Sequence, residues 1–287
     1  MGARIASIRE RLESHGLAPS RARGQNFLRS RHDARRIVTA VGVGSEDAAL
    51  EIGPGLGDLT RELAACARRV LALELDHGLI RALAAAGLPP NIEVRHGDAL
   101  QADLTALGRE LGAPAVLVGN LPYRIAGRLI AQLLIESRPF ESFRRLGFMV
   151  QTEVAERLLA EHGTPAYSSL SVWSGLFSTP RRVLELGPDA FVPRPKVHST
   201  FVVFDPPALP RSSSAEQQAV LEQIVTLAFR FRRKTLRRAL QGISADPARL
   251  QTALEEADID GQRRGETLSP AELVKLAGAI HARALRG

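Results

Sequence analysis

The chain has 287 residues, 45% of them hydrophobic and 24% charged, a balance that fits a folded, soluble protein and argues against disorder and against a membrane span. Lys and Arg number 38 against 31 Asp and Glu, giving a net charge of +7 and a pI near 10.5, which favours a polyanionic partner. The single cysteine, Cys66, excludes an internal disulfide framework and fits a reducing, cytoplasmic setting; it is expected as filler in a helix.

The opening MGARIASIRERLESHG lacks the hydrophobic core of a secretory signal, and Glu10 and Glu13 argue against a transit peptide. Short apolar runs then alternate with helical patterns: ALEI near 49, VLALEL at 70–75, IEVRH from 92, AVLVG from 115 and LGFMV from 146. Such alternation predicts βα units on a parallel sheet.

The first run ends in LEIGPGLGDLT, residues 50–60. Gly53, Gly55 and Gly57 permit positive φ and let a ligand approach the bare backbone. The spacing is not that of a pyrophosphate cradle, and Pro54 removes an N–H such a cradle would use. A nucleoside ligand without phosphate fits better, and S-adenosyl-L-methionine is the one with the right parts.

Glu74 ends the second run, close to the spacing at which an acid meets ribose hydroxyls. Asp98 follows the third, in VRHGDAL, where a carboxylate can accept from an adenine amine. Leu75 and Ala99 beside them are placed in the same cofactor set. The fourth run delivers Asn120-Leu121-Pro122-Tyr123. An adenine N6 hydrogen can bond to the Asn120 side-chain oxygen and another to a main-chain carbonyl near Pro122, aiming the nitrogen lone pair at a methyl donor. Tyr123 offers a face for stacking.

Further on, RRVLELG and STFVVFD flank a Pro-rich turn and are expected to close the sheet as a hairpin. Between them FVPRPKVHS supplies Phe191, expected as a second aromatic against a flipped base, and Lys196. The cluster PPALPRSSSAEQ after Asp205 reads as a linker. Beyond it only helical patterns follow, so a catalytic domain with a basic N-terminal arm is expected over 1–205 and a helical domain over 206–287. FRFRRKTLRRAL at 229–240 suits phosphate contacts, through Arg232, Arg233, Lys234 and Arg237. Asp246-Pro247 starts a further helix, and Ser269-Pro270-Ala271-Glu272 reads as a capping box.

Together, GQNFL at 24–28, EIGPGLG, LELD, GDAL, GNLPY, MVQTEVAERLLA, FVPRPKVHS and FRRKTLRRAL resemble, in the same order, the bacterial small-subunit ribosomal RNA adenine N6,N6-dimethyltransferases. The resemblance covers most of the chain. It implies a Rossmann-like class I methyltransferase sheet with a small C-terminal helical domain. It also implies transfer of four methyl groups onto two adjacent adenines near the 3′ end of small-subunit rRNA, within an assembling small subunit. Asn26 and Leu28 look like that family's N-terminal cofactor contacts, joined by Gly53, Glu74, Asp98 and Asn120. No metal is implied, and a monomer is expected. Two positions depart from the pattern: Arg124 stands where the family usually has Asn, and is expected to reach an RNA phosphate, and Arg23 stands where Phe is usual. Three other readings remain open: a large-subunit rRNA methyltransferase of the macrolide-resistance type, a non-catalytic assembly or transcription factor, and a DNA adenine methyltransferase.

Overall fold

The computed structural model describes residues 7–20, 24–112, 114–136, 138–207, 214–243 and 246–284. Two compact units result, one from Met1–Ala155 with Pro180–Pro206, the other from Glu156–Thr179 with Pro207–Gly287. Arg23 and most of the Pro- and Ser-rich linker lie outside the described residues.

The first unit is built on strands β1 (Phe27–Leu28), β2 (Ala48–Ile52), β3 (Arg69–Glu74), β4 (Ile92–His96), β5 (Ala115–Asn120), β6 (Arg145–Gln151), β7 (Thr179–Leu186), β8 (Phe191–Val192) and β9 (Ser199–Asp205). Its helices are α1 (Ile8–Glu13), α2 (Arg31–Val41), α3 (Asp58–Ala64), α4 (His77–Ala85), α5 (Leu104–Leu111) and α6 (Ala126–Glu136). Seven strands form one sheet in the order β4-β3-β2-β5-β6-β9-β7, and β1 pairs separately with β8. β2 through β6 run parallel and β9 returns antiparallel to β6, so the two late apolar runs do close that edge.

The apolar runs explain the topology. β2 is buried at all five positions and β5 at its first five, as befits strands covered on both faces. Register brings the strand ends to one edge: Ile52 lies opposite both Leu73 and Gly119, Glu74 opposite His96, and Asn120 opposite Met149. Gly119 leaves no room for a side chain beside β2, since a Cβ there would stand 2.8 Å from the Ile52 carbonyl oxygen.

α7 (Thr152–Leu159) leads from the first unit into the second, which holds α8 (Ser169–Phe177), α9 (Ala215–Arg230), α10 (Leu236–Ala239), α11 (Pro247–Glu256) and α12 (Pro270–Ala284). The helical unit therefore begins before the sheet is complete, and residues 156–179 belong with it rather than with the sheet. α8 shows why. It carries no charged residue, buries six of its nine side chains and packs on α9 and α12. The Ser269 and Glu272 capping box forms, with the Glu272 N–H donating to the Ser269 hydroxyl at 3.2 Å and the Ser269 N–H to the Glu272 carboxylate at 2.7 Å. Cys66 departs from expectation: α3 ends at Ala64, leaving the thiol exposed in the turn that follows.

Candidate active site

All three glycines of the loop after β2 adopt left-handed backbone, with φ of 68° at Gly53, 60° at Gly55 and 81° at Gly57. Two of them are also required by packing. A Cβ on Gly55 would meet the Phe27 ring at 3.0 Å, and one on Gly57 would meet Leu83 at 2.7 Å. A Cβ on Gly53 would meet nothing, so its bare backbone faces open space. The loop is held from outside by Arg11, which donates to both Asp58 carboxylate oxygens at 2.8 and 2.9 Å and to the Leu56 carbonyl at 2.7 Å.

A cleft runs along this edge of the sheet. It is lined by Asn26 and Leu28 from the arm, Gly53 and Gly55 from the loop, Glu74 from β3 and Asn120 and Pro122 from the β5 end. Six of the nine predicted cofactor residues thus converge. The other three sit differently. Leu75 follows Glu74 but is 50% exposed, and Ala99 is buried. Asp98 lies beyond β4 with its carboxylate accepting from the Leu100 N–H at 3.0 Å and the Gln101 side chain at 3.1 Å. None of these three lines the cleft, although β4 is the next strand along the same edge.

Glu74 is buried and bridges the loop to its own strand end, accepting from the Gly55 N–H at 3.2 Å and the Asp76 N–H at 2.9 Å. Burial raises its carboxyl above the usual range. Each oxygen keeps a further lone pair for a hydroxyl. Glu51 is a cleft residue that the motif reading passed over. It is 1% exposed, its Oε2 has no hydrogen-bond partner, and burial, with Glu74 and Asp58 nearby, pushes its carboxyl up to about 8. The signal was present in the sequence: one acid inside the wholly apolar strand AALEI.

The turn after β5 is ordered by its backbone. The Asn120 side chain donates from Nδ2 to the Asn26 carbonyl at 2.7 Å, leaving Oδ1 as its acceptor. The Pro122 carbonyl is taken by the Ile125 and Ala126 N–H groups at 3.0 and 3.2 Å, where α6 begins. The Pro122 carbonyl is therefore already engaged within the chain. The Leu121 side chain is 1% exposed and packs in the core, so it does not shape space for a substrate amine. Tyr123 is half-buried; its hydroxyl shares a hydrogen bond with Ser199 at 2.6 Å, and burial keeps the phenol neutral.

Phe191 is not the second stacking ring. It is 2% exposed and belongs to the sheet core with Leu28, Val118 and Phe201, its backbone paired to Leu28 across β1 and β8. The apolar ring fills the core because the strand pairing turns it inward. Lys196 and Arg124 are exposed on this unit. In the helical unit, Arg233, Lys234 and Arg237 are exposed at and after the turn that follows α9. Arg232 is committed within the unit, to the Glu266 carboxylate and, at 2.8 Å, to the Pro165 carbonyl.

A parallel sheet with a glycine loop after its first long strand, acids at the next strand ends and a carboxamide turn on the fourth defines a Rossmann-like class I methyltransferase. Residues 20–281 match the family described as ribosomal RNA adenine dimethylase, and the chain belongs to that family. It is 42% identical over 268 residues to the ribosomal RNA small subunit methyltransferase A of Magnetococcus marinus, covering 93% of each chain. The protein of the same name from Nocardia farcinica is 40% identical over 282 residues, with 95% of this chain and 93% of that one covered. Among solved structures, a dimethyladenosine transferase from Plasmodium falciparum superposes with a TM-score of 0.70 at 26% identity, over 87% of this chain and 95% of that one. A 23S rRNA methyltransferase superposes with a TM-score of 0.63 at 27% identity, over 89% and 99%.

Proposed function

We propose that this protein transfers methyl groups from S-adenosylmethionine to the N6 atoms of two adjacent adenines near the 3′ end of small-subunit rRNA, acting as a cytoplasmic monomer on an assembling small subunit. The observation that carries the reading is the Asn120 carboxamide, oriented by its bond to Asn26 so that Oδ1 is left as an acceptor at the cleft. A neutral carboxamide acceptor suits an exocyclic amine.

The residues fit the cofactor. Gly53 leaves open backbone in the cleft, Glu74 has acceptor capacity for ribose hydroxyls, and the orphaned Glu51 Oε2 suits a cationic donor such as an ammonium group. Asp98 and its neighbour Ala99, at the far end of the same sheet edge, suit the adenine end, and Asn26 and Leu28 close the near side. When bound, the cofactor supplies an electrophilic methyl group on a sulfonium.

The chain's own groups then orient the acceptor. N6 hydrogens bonded to Asn120 Oδ1 and to a main-chain carbonyl of the same turn draw that nitrogen towards sp³ geometry, which frees its delocalised lone pair. The ammonium formed on N6 is strongly acidic and loses its proton to water, so a neutral amide suffices. Tyr123 gives the base a flat face, steadied through Ser199. Arg124, Lys196, Arg233, Lys234 and Arg237 are exposed cations suited to the rRNA backbone.

The small-subunit reading is favoured over the large-subunit one because the relatives that match at about 40% identity over nearly the whole chain carry the small-subunit name. Labelled-cofactor transfer to undermethylated small subunits, with purified large subunits and duplex DNA alongside and nucleoside analysis of the product, tests it. N6,N6-dimethyladenosine in the small subunit alone is expected, and label in large subunits or DNA overturns it.

A further inference from the structure

Outside the cofactor cleft, the first unit contains a larger cavity of about 780 Å³ between α1, the segment 29–32 and the loop 189–194. Five guanidinium groups line it, those of Arg9, Arg11, Arg29, Arg31 and Arg194, against two carboxylates, Asp58 and Asp189. With the existing pairs taken out, three arginines remain against one carboxylate. Arg11 is locked on Asp58, and Arg31 pairs with Glu62 at 2.7 Å. Arg9 and Arg29 are exposed and have no hydrogen-bond or ion-pair partner for their side chains among the described residues.

Arg194 meets Asp189 at 3.1 Å, but both side chains are largely solvent-exposed. Such a pair is worth no more than about 1 kcal/mol and exchanges readily for a better anion. The cavity therefore offers two uncommitted guanidiniums and a third that is easily released.

Local structure holds these groups in place. Ile8 and Leu12 of α1 are buried with Phe27, Leu56, Leu79 and Ala82, which anchors the helix that carries Arg9. The Arg29 N–H donates to the Ala190 carbonyl at 2.8 Å, which joins the two loops that form the cavity wall. Asp58 lines this cavity and the cofactor cleft alike, so the two are neighbours.

We infer that this cavity is a subsite for the phosphodiester backbone of the rRNA substrate, engaging two or three phosphates through Arg9, Arg29 and Arg194. Guanidinium forks match phosphate oxygens bidentately. Of the two rings in the lining Phe191 is buried and only the His32 imidazole is exposed, so guanidiniums dominate the accessible surface and the site reads backbone rather than sequence. The inference rests on the proposed rRNA methyltransferase function and deepens it, placing a substrate-positioning contact beside the cofactor.

The test is the double variant R9A/R29A of the full chain, neither residue being part of the catalytic or cofactor machinery. Binding to an undermethylated small subunit and to a protein-free fragment of its rRNA is measured across a salt series, with cofactor affinity and methyl transfer in parallel. The expected result is a log–log salt slope shallower by roughly 1.5 to 2 on both RNAs. KM for the subunit rises on the order of tenfold, while kcat and cofactor affinity hold. R29K, alone, keeps most of the slope. A slope and KM equal to wild type overturn the inference, as does a loss of cofactor affinity. An effect seen on intact subunits but absent on the bare rRNA also overturns it, since the cavity would then face a ribosomal protein. Because the slope is read without any methyl transfer, failure of the proposed activity and failure of this subsite give different results.

Discussion

Asn120 and Asn26, 94 positions apart, are joined by a 2.7 Å hydrogen bond from the Asn120 side-chain amide to the Asn26 carbonyl. A carbonyl only accepts, so the nitrogen of the carboxamide must face Asn26 and its oxygen must face away. The arm that carries GQNFL thereby sets the direction in which the NLPY carboxamide presents its acceptor. Asn120→Ala removes that acceptor and is expected to lower methyl transfer on the order of 10²–10³-fold or more, with cofactor affinity reduced only a few-fold. Single-turnover transfer to undermethylated small subunits, paired with calorimetric cofactor titration, checks it. Activity within a few-fold of wild type removes the assigned role.

Glu51 predicts a pH signature. Its carboxyl titrates near 8 in the folded protein and near 4.5 when unexposed to burial, so between those values the folded state holds a proton that the unfolded chain has released. Stability of the ligand-free protein therefore falls as pH rises from about 4.5 to about 8, by up to 1.4 kcal/mol per unit from this group, and is level above. Glu51→Gln should raise the melting temperature at pH 8, with the gap closing towards pH 4.5. An ammonium-bearing cofactor favours the carboxylate, so wild type should release about one proton on binding near pH 7. Titration in buffers of different ionisation enthalpy reads that proton, and an identical value in the Gln variant would remove Glu51 from the cofactor site.

Much of this was readable in advance because it is local. Five apolar runs became β2 to β6, and three glycines took the left-handed backbone that the loop needed. What escaped depends on distant partners. Phe191 sits among prolines and looks like loop, but pairing with Leu28 from the far end of the chain turns its ring into the core. α8 lies between the sheet strands β6 and β7 in sequence, yet its uncharged surface packs on α9 and α12. Glu51 was masked by the strand around it, because periodicity reports burial and says nothing of why one buried residue is ionisable.

The burial of Phe191 separates two roles that the same residue type can play. As core, Phe191→Ala should cost roughly 3–5 kcal/mol of stability, whereas Phe191→Leu retains an apolar side chain and should stay folded with methyl transfer near wild type. Chemical denaturation of both variants, with activity normalised to folded protein, distinguishes the roles. A well-folded Leu variant that had lost RNA methylation would restore a stacking role to the ring.

Arg232 and Lys234 are two positions apart and are expected to fail differently. Arg232 is held by Glu266 and by the Pro165 carbonyl, so Arg232→Ala removes ties within the helical unit and should lower the melting temperature while leaving the salt dependence of RNA binding close to wild type. Lys234 is exposed at the turn before α10, so Lys234→Ala should leave stability unchanged and make the log–log salt slope shallower by about one. Thermal melts and RNA titrations across a salt series on the two variants decide the assignment. A slope unchanged in Lys234→Ala would show that the lysine touches no phosphate, and a reduced slope in a fully stable Arg232→Ala would show that Glu266 releases its partner to the RNA.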